Sequence, residues 1–147
     1  MPILLQRHYG RDLCFVFRNF PLTQLHPEAA PAAETSEFAG AYGRYWEAHD
    51  ALYENPTLLG LHSYETLVKE LGLSATDMRQ ALAENAYLPK TKADFDGGVQ
   101  SGVTGTPTFF INGTLHQGSS DLGSPAAAIE ACRQSAGLHR SAHRSVL

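Results

Sequence analysis

The sequence is poor in cysteine, and the two it has, Cys14 and Cys132, lie far apart. They form no Cys-x-x-Cys pair and no zinc-ligand spacing, so neither a local dithiol nor a cysteine-based metal site is expected. Long apolar runs are also missing. No stretch approaches the roughly 18 uninterrupted apolar residues of a membrane-spanning helix, so no membrane partner is expected. The opening residues, MPILLQRHYGRD, lack the basic start, apolar run and small-residue cleavage site of a secretory signal, so the chain as encoded is expected to be cytoplasmic. Positive charge is scarce, with 11 Lys and Arg against 15 Asp and Glu and a net charge of −4. Nucleic acid is therefore not an expected partner. There is no internal repeat and no low-complexity tract.

What is present suits one globular domain over residues 1–147, with 43% hydrophobic residues. A chain of this length buries roughly two-thirds of its unfolded surface. Charge is unevenly spread. Residues 1–26 carry Arg7, Arg11 and Arg18 against Asp12, while most acids fall in residues 27–132. Arg133, Arg140 and Arg144 follow with no acid, and a basic tail over about 138–147 is expected to be frayed and solvated.

The pattern opens with two turns of helix over Pro2–Tyr9, proline near the start and Gly10 past the end. Leu13–Phe17 reads as a strand, with Leu13, Phe15 and Phe17 on one face and Cys14 and Val16 on the other. A loop with Pro21 and Pro27 leads to a helical pattern over about Pro31–Glu54. Phe38, Tyr42, Tyr45, Trp46, His49, Leu52 and Tyr53 recur there at three- and four-residue steps, and Asn55-Pro56 breaks the pattern. A helix capped by Ser63 runs to Leu71 and closes at Gly72. The next begins at Ser74, with Asp77 as capping-box partner and Met78, Ala81 and Leu82 inward. Another begins near Pro89 with Phe95 and Val99 inward and stops at Gly102. Pro125 opens the last helix, with Ala128, Ile129, Cys132 and Ala136 inward.

Between those last two helices lies Gly102–Gly118, GVTGTPTFFINGTLHQG. Phe109, Phe110 and Ile111 are β-enriched, and Asn112-Gly113 between two such runs is a strong hairpin signal. Proline donates no ladder hydrogen bond, so Pro107 is expected at the first position of its strand. This segment closely resembles the cis-proline segment of DsbA-like thioredoxin-fold proteins. FVFRNFPLTQLHPEA, residues 15–29, resembles the strand and loop after the first helix in the same family, and YWEAHDALYEN resembles part of its helical insertion. The resemblance implies an α/β, thioredoxin-like domain with an all-helical insertion over about residues 30–102. It also implies that the first strand and the start of the first helix are missing from this sequence.

A thiol–disulfide oxidoreductase of this family carries Cys-x-x-Cys at the start of its first helix, and this chain has none. The family's thiolate is activated at a helix amino terminus beside a resolving cysteine. Cys14 is expected mid-strand and Cys132 within a helix, and no disulfide between them is expected. The resemblance assigns substrate binding to Gly105, Thr106, Pro107 and Thr108, with a cis peptide bond before Pro107, and no catalytic residue. The reading that follows is a thiol–disulfide oxidoreductase family member that is redox-inactive as a single chain; the alternatives are a non-enzymatic module capturing extended peptide by strand addition and a protein akin to kappa-type glutathione transferases. No cofactor is implied. A sheet without a central strand would expose unpaired edges, so either the two flanking strands close up and pair directly or a second chain covers the gap; of the two, a homodimer is expected. The histidines call for plain readings. His49 beside Asp50 lies on the apolar stripe and is expected to be a hydrogen-bonded core residue. His26-Pro27 is expected to anchor a loop. His139 and His143 are one helical turn apart but lack a third ligand, so no metal is expected.

Overall fold

The computed structural model describes residues 2–56, 59–119, 121 and 123–143. The chain divides into two compact units, one made of Met1–Val16 with Val103–Leu147 and the other of Phe17–Gly102.

The second unit is helical: α2 (Ala29–Ala41), α3 (Tyr45–Glu54), α4 (Leu61–Glu70), α5 (Ala75–Ala83) and α6 (Leu88–Gln100). It begins at Phe17 rather than near residue 30, because Phe17 packs edge-on to His49 of α3 and Phe20 stacks on Phe95 of α6. The single helical pattern expected over residues 31–54 is two helices. Gly43 takes φ +75° and ends α2, with Gly43 N–H donating to Gly40 O and Arg44 N–H to Ala39 O. This left-handed stop is open to glycine at little steric cost. A Cβ on Gly40 would lie 3.1 Å from the Tyr45 ring, so the bare backbone there lets α3 fold closely onto α2.

That break changes which side chains are covered. Phe38 and His49 are buried, while Tyr42, Trp46 and Tyr53 of the expected stripe are exposed. One core cluster joins Phe38, Tyr64, Val68 and Met78; another joins Ala39, Ala48 and Leu67. Helix α4 starts before Ser63, with Gly60 at its cap position, so Ser63 lies inside the helix. Ser74 caps α5 as its sequence suggests, its hydroxyl accepting from Asp77 N–H at 3.2 Å. Val99 is 52% exposed rather than inward; the buried residues of α6 are Thr91 and Asp94.

Glu34 of α2 is buried, and burial raises its carboxyl above the ordinary 4.5, opposed by backbone N–H groups of Tyr87 and Leu88 at the start of α6. A raised folded-state pKa means the folded chain holds the proton more tightly than the unfolded one. The contribution of this group is fully present below the unfolded value and lost as pH rises through the raised value. Glu34→Gln should therefore gain stability relative to the parent between about pH 4.5 and pH 7. Urea denaturation at both ends measures this, and a difference that stays constant with pH would contradict it.

The first unit holds α1 (Pro2–Tyr9), a short 3₁₀ turn, the hairpin β1 (Phe110–Ile111) and β2 (Thr114–Leu115), and α7 (Gly123–His143). The expected strand over Leu13–Phe17 is not one: the segment is irregular, and among the described residues the sheet consists of β1 and β2 alone. The expected alternation survives all the same, with Leu13, Phe15 and Phe17 half-buried and Cys14 and Val16 exposed. Side-chain partition is decided residue by residue, whereas a strand also needs a hydrogen-bonded neighbour. Both cysteines are free; Cys132 is half-buried on α7 rather than fully covered. Tyr9 donates its hydroxyl to Ala126 O at 3.0 Å, and Arg133 pairs with Asp12 at 3.0 Å, which fastens α1 and the turn after it to α7. Helix α7 begins before Pro125 and continues to His143, so residues 138–143 are helical rather than a frayed tail. The side chains of Ala136, His139 and His143, and residues 144–147, lie outside the described residues.

Candidate functional site

Helix α6 ends at Gln100, and Gly102 two residues on takes φ +85°, after which the chain leads to the hairpin. The Thr106–Pro107 peptide bond is cis. Thr108 donates its hydroxyl to Gly105 O at 2.7 Å, closing the four-residue loop on itself. Thr106 and Pro107 are exposed, while Gly105 and Thr108 are half-buried. The loop thus presents one threonine and a proline ring outward and spends the second hydroxyl on its own bracing.

The strand begins at Phe110 rather than at Pro107. Phe109 contributes only its carbonyl, which accepts from His116 N–H at 2.8 Å. Phe110 faces Leu115 and Ile111 faces Thr114 across an Asn112-Gly113 turn in which both residues have positive φ, +49° and +80°. Two positive φ angles match the twist of a tight hairpin, which is why Asn-Gly is favoured there. Phe110 and Leu115 form a cross-strand pair that is 42% and 37% exposed. Among the described residues the sheet has these two strands alone, so both outer edges of the hairpin keep unpaired backbone groups.

Beyond β2, His116 Nε2 lies 3.0 Å from Ser124 Oγ. Asp121 accepts from the Ser119 hydroxyl at 2.7 Å and from Ser124 N–H at 3.2 Å. These bonds, the Ser119 hydroxyl foremost, hold the Asp121 carboxyl below its ordinary range. The backbone at Gly118 passes so close that a Cβ would sit 2.2 Å from Ser124 Oγ. The serine and histidine therefore tie the hairpin to α7 under a tight loop and offer no open reaction site.

The sulfur chemistry is equally constrained. Cys14 is exposed in the extended segment after the 3₁₀ turn, and Cys132 sits well inside α7. Neither occupies the first turn of a helix, where the backbone dipole favours a thiolate. Among the described residues no three His, Cys, Asp or Glu side chains gather as a metal site.

The DSBA-like thioredoxin domain family matches residues 4–130. The chain belongs to this family. In this DsbA-like domain the small hairpin and large helical unit correspond to the α/β fold with a helical insertion. Among curated proteins, Na(+)/H(+) antiporter NhaA 1 of Salinispora arenicola (strain CNS-205) is 38% identical over 118 residues, covering 80% of this chain and 18% of that protein. Na(+)/H(+) antiporter NhaA 3 of Salinispora tropica (strain ATCC BAA-916 / DSM 44818 / JCM 13857 / NBRC 105044 / CNB-440) is 36% identical over 124 residues, 84% of this chain and 19% of the other. Na(+)/H(+) antiporter NhaA of Herminiimonas arsenicoxydans is 32% identical over 130 residues, 88% and 20%. The chain spans about a fifth of the length of these relatives. No solved structure matches.

The helical unit of the DsbA-like domain contains a buried polar cluster that the sequence pattern did not single out. Asp94 accepts from Asn19 N–H at 3.2 Å and pairs with Lys90 and, at 3.5 Å, with Arg18. The Asn19 side chain donates to Glu37 at 2.8 Å. Tyr45 lies in the same region, and burial pushes its phenol up to about 12. Asp94 lies one residue before Phe95, which is the only sequence hint that an acid would share a buried stretch. His49 is buried, as expected of a core histidine, with Nδ1 2.9 Å from Asp50 Oδ1 and the rings of Phe17 and Tyr53 against it at 4.5 and 4.6 Å. His26 has an exposed side chain, and its backbone carbonyl accepts from Ala29 N–H at the entrance to α2.

Proposed function

We propose that this DsbA-like domain captures extended polypeptide backbone along Gly105–Thr108 and the adjoining β1 edge, and that its own two cysteines do not exchange disulfides. The observation that carries the reading is the exposed Thr106-Pro107 pair leading directly into a strand with an unpaired edge. An extended peptide satisfies such an edge by main-chain hydrogen bonds, and side-chain contacts set its preference. The exposed Phe110 and Leu115 supply an apolar contact for alternate side chains of that peptide. The redox half of the proposal rests on the lack of a Cys-x-x-Cys in the sequence and on the placement of Cys14 and Cys132.

Sodium–proton exchange, the activity in the relatives' names, falls outside this reading. The shared segment is about a fifth of those proteins, and no described helix here is long and apolar enough to cross a membrane.

Calorimetry with an unstructured peptide library tests capture. Phe110→Ala should weaken the selected peptides by about tenfold, the value of losing a phenyl contact of some 1.5 kcal/mol. In parallel, the purified chain should reduce insulin no faster than dithiothreitol alone. Faster reduction that disappears in Cys14→Ser would overturn the redox half, and peptides bound equally by Phe110→Ala would overturn the binding half. A dimer mass by light scattering would put a second copy, rather than a peptide, on the edge.

A further inference from the structure

The bonding inside the hairpin fixes which backbone groups it leaves for a partner. His116 N–H donates to Phe109 O at 2.8 Å, so Phe109 and His116 form a hydrogen-bonded pair. Bonded and non-bonded pairs alternate along an antiparallel ladder. Phe110 and Leu115, directly opposite each other, are therefore a non-bonded pair, and Ile111 with Thr114 is the next bonded one. The N–H and C=O of Phe110 thus both point away from β2, to the outer edge of β1. Those of Leu115 point the other way, to the outer edge of β2. Among the described residues neither strand has a further neighbour.

The side chains follow the same alternation. Phe110 and Leu115 share one face and are exposed, whereas Phe109 and Ile111 on the other face are half-buried. The β1 residue with outward backbone groups is thus also the one with an uncovered phenyl ring. The two edges are not equivalent. β1 is approached through the exposed Thr106-Pro107 pair, while after Leu115 the chain enters the loop that His116 and Ser124 tie to α7.

We infer that the peptide captured at β1 pairs antiparallel with it and sets one apolar residue directly opposite Phe110. This rests on the peptide-capture reading above and gives that site its register and its side-chain preference. The residue opposite Phe110 donates its N–H to Phe110 O and accepts from Phe110 N–H, forming a hydrogen-bonded pair. Its side chain falls on the exposed face and extends the Leu115–Phe110 pair into a row of three apolar groups. The residues on either side of it turn their own N–H groups away from β1. Proline is excluded opposite Phe110, because it has no N–H to give.

The probe is the peptide acetyl-Lys-Thr-Thr-Phe-Thr-Thr-Lys-amide, titrated into the isotope-labelled chain and followed by amide hydrogen exchange. At saturation the Phe110 amide should exchange at least about tenfold more slowly, and the Leu115 amide should be unchanged. An N-methyl group on the nitrogen of the central phenylalanine should weaken binding about tenfold, the value of a lost hydrogen bond. The same group on the threonine that follows should change affinity by less than about twofold, since that N–H faces away. Alanine in place of the central phenylalanine should weaken binding about two- to fivefold, the worth of a cross-strand apolar pair. Every comparison alters the peptide, so the fold of the protein is not at stake. Slowed exchange at Leu115 in place of Phe110, or equal losses from the two N-methyl groups, would overturn the inference. Failure of this peptide while members of the unstructured library still bind would overturn the register and leave peptide capture standing. Failure of every peptide removes both.

Discussion

Phe38→Ala is expected to lower the unfolding free energy of the helical unit by about 3–5 kcal/mol, the range for emptying a fully buried phenyl site. Phe38 is 3% exposed and clusters with Tyr64, Val68 and Met78. Its ring also meets Tyr42 at 5.2 Å and Tyr87 at 6.2 Å, so residues of α2, α4, α5 and the entry to α6 converge on it. Helices on every side limit collapse into the gap, which places the loss toward the upper part of that range. Since domains of this size are stable by only ~5–15 kcal/mol, such a variant would be marginal. Trp46, the single tryptophan, lies in the same unit, and its fluorescence in urea reads the transition there. A loss below about 1 kcal/mol would mean that the cluster is not a packed core.

Asp94→Ala should cost about 2–3 kcal/mol, for a different reason. Asp94 is 4% exposed and accepts from the N–H of the buried Asn19. Truncation leaves that donor without a partner and removes the link between the 17–20 segment and α6. The cations are less affected: Lys90 and Arg18 have largely exposed side chains and regain water. This is why the cost should fall short of the ~3–5 kcal/mol seen when a wholly buried ion pair is broken. Asp94→Asn keeps an acceptor for Asn19 and should lose clearly less than the alanine variant. Equal losses in the two, measured by the same urea transition, would show that the hydrogen bond to Asn19 is not what holds the segment down.

Sequence and structure agree where a signal is local. Asn112-Gly113 needs only its own two backbone conformations to set the hairpin, and Ser74 needs only the N–H three residues on to cap α5. Gly72, with φ +76°, likewise closes α4. The α2–α3 break was also present in the sequence, as Gly40 and Gly43, but it sat inside a stripe of aromatic residues that read as continuous. A glycine within a helical pattern is tolerated often enough that only the approach of Tyr45 to Gly40 reveals its purpose here.

The rest was illegible because it depends on partners distant in sequence. An extended, alternating segment such as Leu13–Val16 becomes a strand only when it joins a ladder, and among the described residues the ladder is that of β1 and β2 alone. Asp94 and Glu34 read as ordinary surface acids until Asn19 and the head of α6 are brought against them. The amino-acid order alone determined the family motif around Pro107, the helix and hairpin punctuation, and the want of a paired thiol, because each is written in neighbouring residues. Tertiary structure alone decided which face of each helix is covered and where the strands stop. Burial and pairing are properties of segments that meet in space, and no single segment carries them.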